Sequence, residues 1–233
     1  MTILGIDTAG RTMSVALLEN DTLLCEQTLA TGLTHSETLL PTVDAVLKAA
    51  GKTCADIDLF GVCAGPGSFT GLRIGLCAVK GLAFPANTPC AAVSTLEALA
   101  WSHVGTGTVV AAQDARRGEV YWAAFDLAAH QRITPDTASP VEKIRALAET
   151  CPKPLLFVGD GAYLCESAFS AVPGVLPCPA ALRAARAAGV CLAAKAMAER
   201  GETCPPAALL PSYHRLSQAE RQRAERLAQT TEG

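Results

Sequence analysis

The first thirty residues alternate short apolar runs with polar breaks: ILGID at 3–7, MSVALL at 13–18 and TLLCEQT at 22–28, with Asn20 and Asp21 between the last two. Runs of five to seven residues bounded by turn formers are strand signals, and this spacing predicts a three-strand meander. The period then changes. Leu39, Leu40, Val43, Val46 and Leu47 recur every three or four positions and predict a helix over 36–50. Thr34 and Glu37 have capping-box spacing there, and Pro41 is expected to kink or restart the helix. A strand at 57–63, a helix at 68–84, a short strand at 90–93 and a helix from Ser94 to about His103 complete the order βββαβαβα.

The second half repeats that order without repeating its letters. Strands near 108–113, 119–126 and 130–133 precede a helix opened by SPVE, where Ser139 is expected to cap, Pro140 to take the first helical position and Glu142 to complete a capping box. A strand at 155–158, a helix near 162–170, a strand at 175–178 and a helix within 180–200 follow. A meander continued by two right-handed crossovers gives a mixed five-stranded sheet covered by helices. The pattern therefore predicts an α/β protein with two lobes, 1–107 and 108–210, meeting at a cleft. Residues 211–233 form a tail whose charged segment, through Gln229, reads as a solvated face or a docking helix.

Composition narrows the function classes. Half of the 233 residues are hydrophobic and 18% are charged, a globular balance. A net charge of −3, from 19 basic and 22 acidic residues, gives no electrostatic basis for strong nucleic-acid binding by the chain alone. No basic leader and no run of 18 apolar residues is present, so a cytoplasmic protein without a membrane partner is expected. The ten cysteines never form Cys-x-x-Cys and never stand near a histidine at ligand spacing; free thiols and no metal are expected.

Asp7 ends the first strand of the first half and Asp114 closely follows that of the second, so the duplication puts two carboxylates at equivalent turns facing one cleft. Such carboxylates hold a metal–nucleotide in a phosphotransferase, or merely accept backbone N–H bonds in a tight turn. The loops favour the second reading: DTAGRT carries Ala9 where close phosphate approach favours glycine, and DARRGEVY places Arg116 and Arg117 ahead of its glycine.

The most distinctive stretch is CAGPGSFTGLRIGL, 63–76. It reads G-x-G-x-x-x-G, lacks the Gly-Lys-Ser/Thr ending of a phosphate loop, and is weak as a dinucleotide fingerprint. Gly71 and Gly75 share a helical face with Ala78, and an interior glycine costs about 1 kcal/mol relative to alanine. Close approach of another backbone is the simplest reason, while Arg73, Cys77 and Lys80 fall on the other side. The helices of 36–50 and 68–84 read as ordinary core or as a partner-binding face. His35 has no second histidine at zinc-site spacing, and no Gly-x-Ser-x-Gly elbow occurs.

ILGIDTAGRTMSVALL, THSETLLPTVDAVL, CAGPGSFTGLRIGL and DARRGEVYWAAF, in this order, resemble the bacterial TsaB family, also called YeaZ; FVGDGA and PSYHR extend the likeness more loosely. The resemblance implies a two-lobed fold of the actin, sugar-kinase and Hsp70 type. It implies a non-catalytic scaffold subunit without a cofactor, paralogous to TsaD. With TsaD and the ATPase TsaE, such a subunit supports transfer of threonylcarbamoyl, from an adenylate made by TsaC, to N6 of the tRNA adenosine 3′ of the anticodon. Contact with tRNA is then made only through the complex. TsaD's paired histidines are represented here by His35 alone. Carried over, the interface with TsaD, or with a second copy in a weak homodimer, involves His35, Leu39, Leu40, Val43, Val46, Leu47, Gly71, Arg73, Gly75, Cys77, Ala78 and Lys80. The alternatives are a small-molecule kinase or ATPase of the same fold, motivated by Asp7 and Asp114, and a glycoprotease-like peptidase.

Overall fold

The computed structural model describes residues 1–214, so the helix expected in the charged tail lies outside the described residues. The meander forms as β1 (Thr2–Asp7), β2 (Met13–Glu19) and β3 (Thr22–Leu29). It is followed by α1 (His35–Ala49), β4 (Leu59–Gly65), α2 (Phe69–Ala83), β5 (Cys90–Ser94) and α3 (Thr95–Trp101). The sheet order is β3-β2-β1-β4-β5. Leu4 pairs antiparallel with Leu17 on one side and parallel with Phe60 on the other, all three being buried. Helices α1 and α2 cover one face of this sheet. Their start signals differ from expectation at α1: Thr34 makes no side-chain cap bond, the Glu37 amide instead reaches the Thr34 carbonyl at 3.1 Å, and the helix runs unbroken through Pro41.

The second half gives β6 (Thr108–Arg116), β7 (Glu119–Asp126), β8 (Thr137–Pro140), α4 (Arg145–Thr150), β9 (Leu155–Val158), α5 (Ala162–Phe169), β10 (Val175–Leu176) and α6 (Ala187–Glu199). Its sheet order, β10-β9-β6-β7-β8, matches that of the first. The third meander strand lies later than the 130–133 expected. Asp126 Oδ1 accepts the amides of Ala128 and Ala129, His130 takes φ 50°, and the chain makes only a single bridge, Phe125 to Arg132, before β8 pairs. Ser139 therefore lies in β8, where it accepts the Trp122 indole N–H at 3.0 Å instead of capping a helix. A 3-10 turn at Val141–Ile144 leads into α4, and the helix expected within 180–200 divides into a 3-10 turn at Ala180–Leu182 and α6.

The last helix returns to the first sheet. Ala187, Val190, Cys191 and Ala194 of α6 are buried in one core with Ile3, Leu17 and Phe60. A side chain at Gly5 would meet Cys191 Sγ at 2.6 Å, so β1 needs glycine where α6 crosses it. In the other direction Leu96, Leu99 and Ala100 of α3 join Val109, Ala123 and Phe125 of the second sheet. Each sheet thus receives a helix from the other half of the sequence, and the cleft lies between them.

Candidate functional site

The glycine stretch docks the β1–β2 turn onto α2. Ser68, the N-cap of α2, accepts the Gly71 amide at 3.3 Å and donates its own amide to the Ala9 carbonyl at 2.7 Å. A Cβ on Gly67 would come within 2.7 Å of that carbonyl, one on Gly71 would overlap the Thr8 carbonyl, and one on Gly75 would overlap the Thr8 hydroxyl. The backbone that approaches these glycines is the chain's own. Gly71 and Gly75 are buried and leave the surface of α2 to other residues.

The same correction holds for most of the α1 stripe. Leu39, Val43, Val46 and Leu47 lie inside the first core, because one face of an amphipathic helix must cover the sheet. Leu40 is 54% exposed and points outward. His35 is half-buried, its Nε2 set 3.0 Å from the Gly10 carbonyl. Arg73 stacks over Phe69 and donates Nε–H to the Tyr213 hydroxyl at 3.0 Å, and Lys80 reaches the Ala207 carbonyl at 3.5 Å. These two cations hold the C-terminal segment against α2.

The outward side of α2 carries exposed Cys77 and Gly81, with Ile74, Ala78 and Leu82 half-buried; Phe84, just past its end, is 74% exposed. The segment Phe69–Ala86 is long and apolar enough by length and composition to cross a membrane. Here it lies on β4, and the apolar excess faces outward from the first lobe. Ile74, Gly81 and Phe84 had no place in the sequence-derived interface: an aromatic residue among apolar neighbours reads as core, and only the fold shows it outside.

On the cleft side, the two aspartates behave as turn residues. Asp7 Oδ1 accepts the Ala9 amide at 2.8 Å, and Asp114 Oδ1 accepts the Arg116 amide at 2.7 Å, the same two-residue turn in each half. Asp7 is 1% exposed, and its Oδ2 has no hydrogen-bond partner among the described residues. Burial pushes its carboxyl above the ordinary value, opposed by the Ala9 amide. Asp114 lines a cleft of about 410 Å³ together with Arg11, Phe69, Gln113, Arg116 and Tyr213. The same cleft contains Asp160, missed in the sequence because GDG at 159–161 reads as a plain loop; it follows β9 as GPG follows β4. Desolvation raises the Asp160 carboxyl, although the Asp114 amide donates to its Oδ1 at 3.0 Å.

With this geometry in place, the relatives are informative. The family profile described as TsaD, tRNA N6-adenosine threonylcarbamoyltransferase, matches residues 30–223. The tRNA threonylcarbamoyladenosine biosynthesis protein TsaB of Bacillus subtilis is 34% identical over 168 residues, 70% of this chain and 73% of its own. The chain belongs to the TsaB (YeaZ) family. The Escherichia coli TsaB is 43% identical over 133 residues, a match spanning 54% of this chain and 55% of that relative. YeaZ from Pseudomonas aeruginosa superposes with a TM-score of 0.73 at 29% identity, over 91% of this chain and 99% of its own. The activator of 2-hydroxyisocaproyl-CoA dehydratase from Clostridium difficile, solved with bound ADPNP, shares the fold at TM-score 0.52 and 11% identity, over 87% of this chain and 97% of its own. The fold is the two-lobed α/β architecture of the actin, sugar-kinase and Hsp70 type, and the relatives named TsaB are tRNA threonylcarbamoyladenosine biosynthesis proteins.

Proposed function

We propose that this chain is a non-catalytic subunit that docks the TsaD paralogue through the outward side of α1 and α2, and so supports threonylcarbamoyl transfer to tRNA. The observation that carries this reading is the outward apolar surface of those helices, with Leu40 and Phe84 exposed while the inward stripe is already satisfied by the sheet. The glycine motif shapes that surface indirectly, by seating α2 on Thr8. TsaE joins the assembly, tRNA is met only through it, and the protein acts in the cytoplasm. In the absence of TsaD the same face pairs weakly with a second copy, since a surface that fits a paralogue is close to self-complementary. No chemistry is assigned to Asp7, which is enclosed and serves its turn.

Sedimentation of the chain alone, of TsaD alone and of their mixture tests this reading. A mixed complex that displaces the self-associated form, and that Leu40→Glu weakens, is the expected result. Independent sedimentation of the two proteins contradicts it.

A further inference from the structure

The interlobe cleft has two chambers with a common wall. The larger, about 410 Å³, opens toward the Gly67–Phe69 loop and the C-terminal segment; the smaller, about 240 Å³, is lined chiefly by Leu99, Gly159, Ala180, Ala184 and Ala185. Gly10, Arg11, Gln113 and Asp160 border both. Gln113 is only 5% exposed, yet its Oε1 has no hydrogen-bond partner among the described residues. An amide oxygen enclosed in this way is unfavourable unless an N–H donor reaches it. Asp160 is solvent-exposed in the cleft wall and faces the Asp114 carboxylate as well as Arg11 and Arg116. A cationic donor placed there offsets the repulsion between the two carboxylates.

A phosphate-bearing ligand suits the cleft poorly. The turn amides that would face it are already committed, Ala9 N–H to Asp7 and Arg116 N–H to Asp114, and two carboxylates stand in the wall. Arg116 is itself 3.7 Å from Asp114, which leaves Arg11 as the cation shared by both chambers.

We propose that the cleft binds a small zwitterion with an apolar tail, an α-amino acid with an apolar side chain. Its ammonium group bridges Asp160 and Gln113 Oε1, its carboxylate meets Arg11, and its side chain enters the smaller chamber beside Leu99 and Ala184. The cleft and the α1–α2 face use different residues, so this site stands or falls independently of partner docking.

Titration calorimetry on the full chain with L-leucine and L-phenylalanine tests the proposal, with N-acetyl-L-leucine and magnesium–ATP as comparison ligands. The expected result is binding of the free amino acids with a Kd of about 1 mM or tighter, and none of N-acetyl-L-leucine, which lacks the ammonium group. Asp160→Asn, which keeps an acceptor for the Asp114 amide, and Arg11→Ala, at an exposed position, should each weaken binding about tenfold or more while thermal unfolding remains cooperative. If one variant fails to fold, the other supplies the comparison. Absence of amino-acid binding, binding unchanged in a folded variant, or binding of magnesium–ATP alone overturns the proposal.

Discussion

Thr8 donates its hydroxyl to the Gly71 carbonyl at 2.8 Å, a buried hydrogen bond between residues 63 positions apart that fastens the first hairpin turn to α2. Gly71 and Gly75 leave the room this contact needs, and two substitutions in one helix distinguish it from a general glycine effect. Gly71→Ala drives a methyl into the Thr8 carbonyl and should destabilise the chain by about 2 kcal/mol or more. Gly81→Ala meets nothing within 4 Å and should stabilise it by about 0.5–1 kcal/mol. Equilibrium denaturation checks both signs; equal effects contradict the packing assignment.

Leu40 and Val43 separate surface from core within one helix. Leu40→Glu should change the stability of the isolated chain by no more than about 0.5 kcal/mol and weaken TsaD binding about tenfold or more. Val43→Glu places a charge where only 3% of the residue is exposed and should prevent stable folding. Urea unfolding and a binding titration on the same samples read both; a binding defect without a stability defect at Val43 reverses the assignment.

Asp7 makes stability depend on pH in a definite direction. Its folded pKa is raised above the ordinary 3.8, so the native state holds the proton more tightly than the unfolded chain. Stability from this group therefore falls as pH rises from about 3.8 through the folded pKa, and the full penalty is present above it. Asp7→Asn, which retains an acceptor for the Ala9 amide, should raise Tm at neutral pH, with the advantage shrinking as pH approaches the unfolded value. A Tm difference independent of pH contradicts the assignment.

The C-terminal segment is fastened by Tyr213, whose ring stacks on Phe69 at 4.6 Å beside Arg73. Such aromatic contacts contribute about 0.5–1.5 kcal/mol. Tyr213→Ala should accelerate hydrogen exchange at Ser212, whose amide bonds to the Ala64 carbonyl at 2.7 Å, by about tenfold. Unchanged protection at Ser212 shows that the segment is held elsewhere.

The meander, both crossovers and the duplication were legible because strands and helices impose different hydrophobic periods on local sequence. What local sequence cannot carry is the address of each element. Nothing in the Ala-rich α6 says that it covers the first sheet, and Gly71 and Gly75 announce a close neighbour without naming Thr8. Asp126 diverts the chain where a third strand was expected at 130–133, a turn decided by side-chain hydrogen bonds rather than by pattern. At the candidate docking face, period showed that α1 has an apolar side. Which apolar residues lie outside it, such as Leu40, depends on how wide a strip the sheet covers. Asp160 was hidden for a similar reason: only the duplicated fold brings its loop opposite the first hairpin turn.

The most direct measurement of the central claim is threonylcarbamoyl transfer to tRNA in a reconstituted mixture of TsaC, TsaD and TsaE, with this chain present, absent, or present without TsaD. The account predicts transfer that requires both this chain and TsaD, that survives Asp114→Asn, and that falls with Leu40→Glu in step with complex formation. Transfer at full rate without this chain, or by this chain without TsaD, contradicts it.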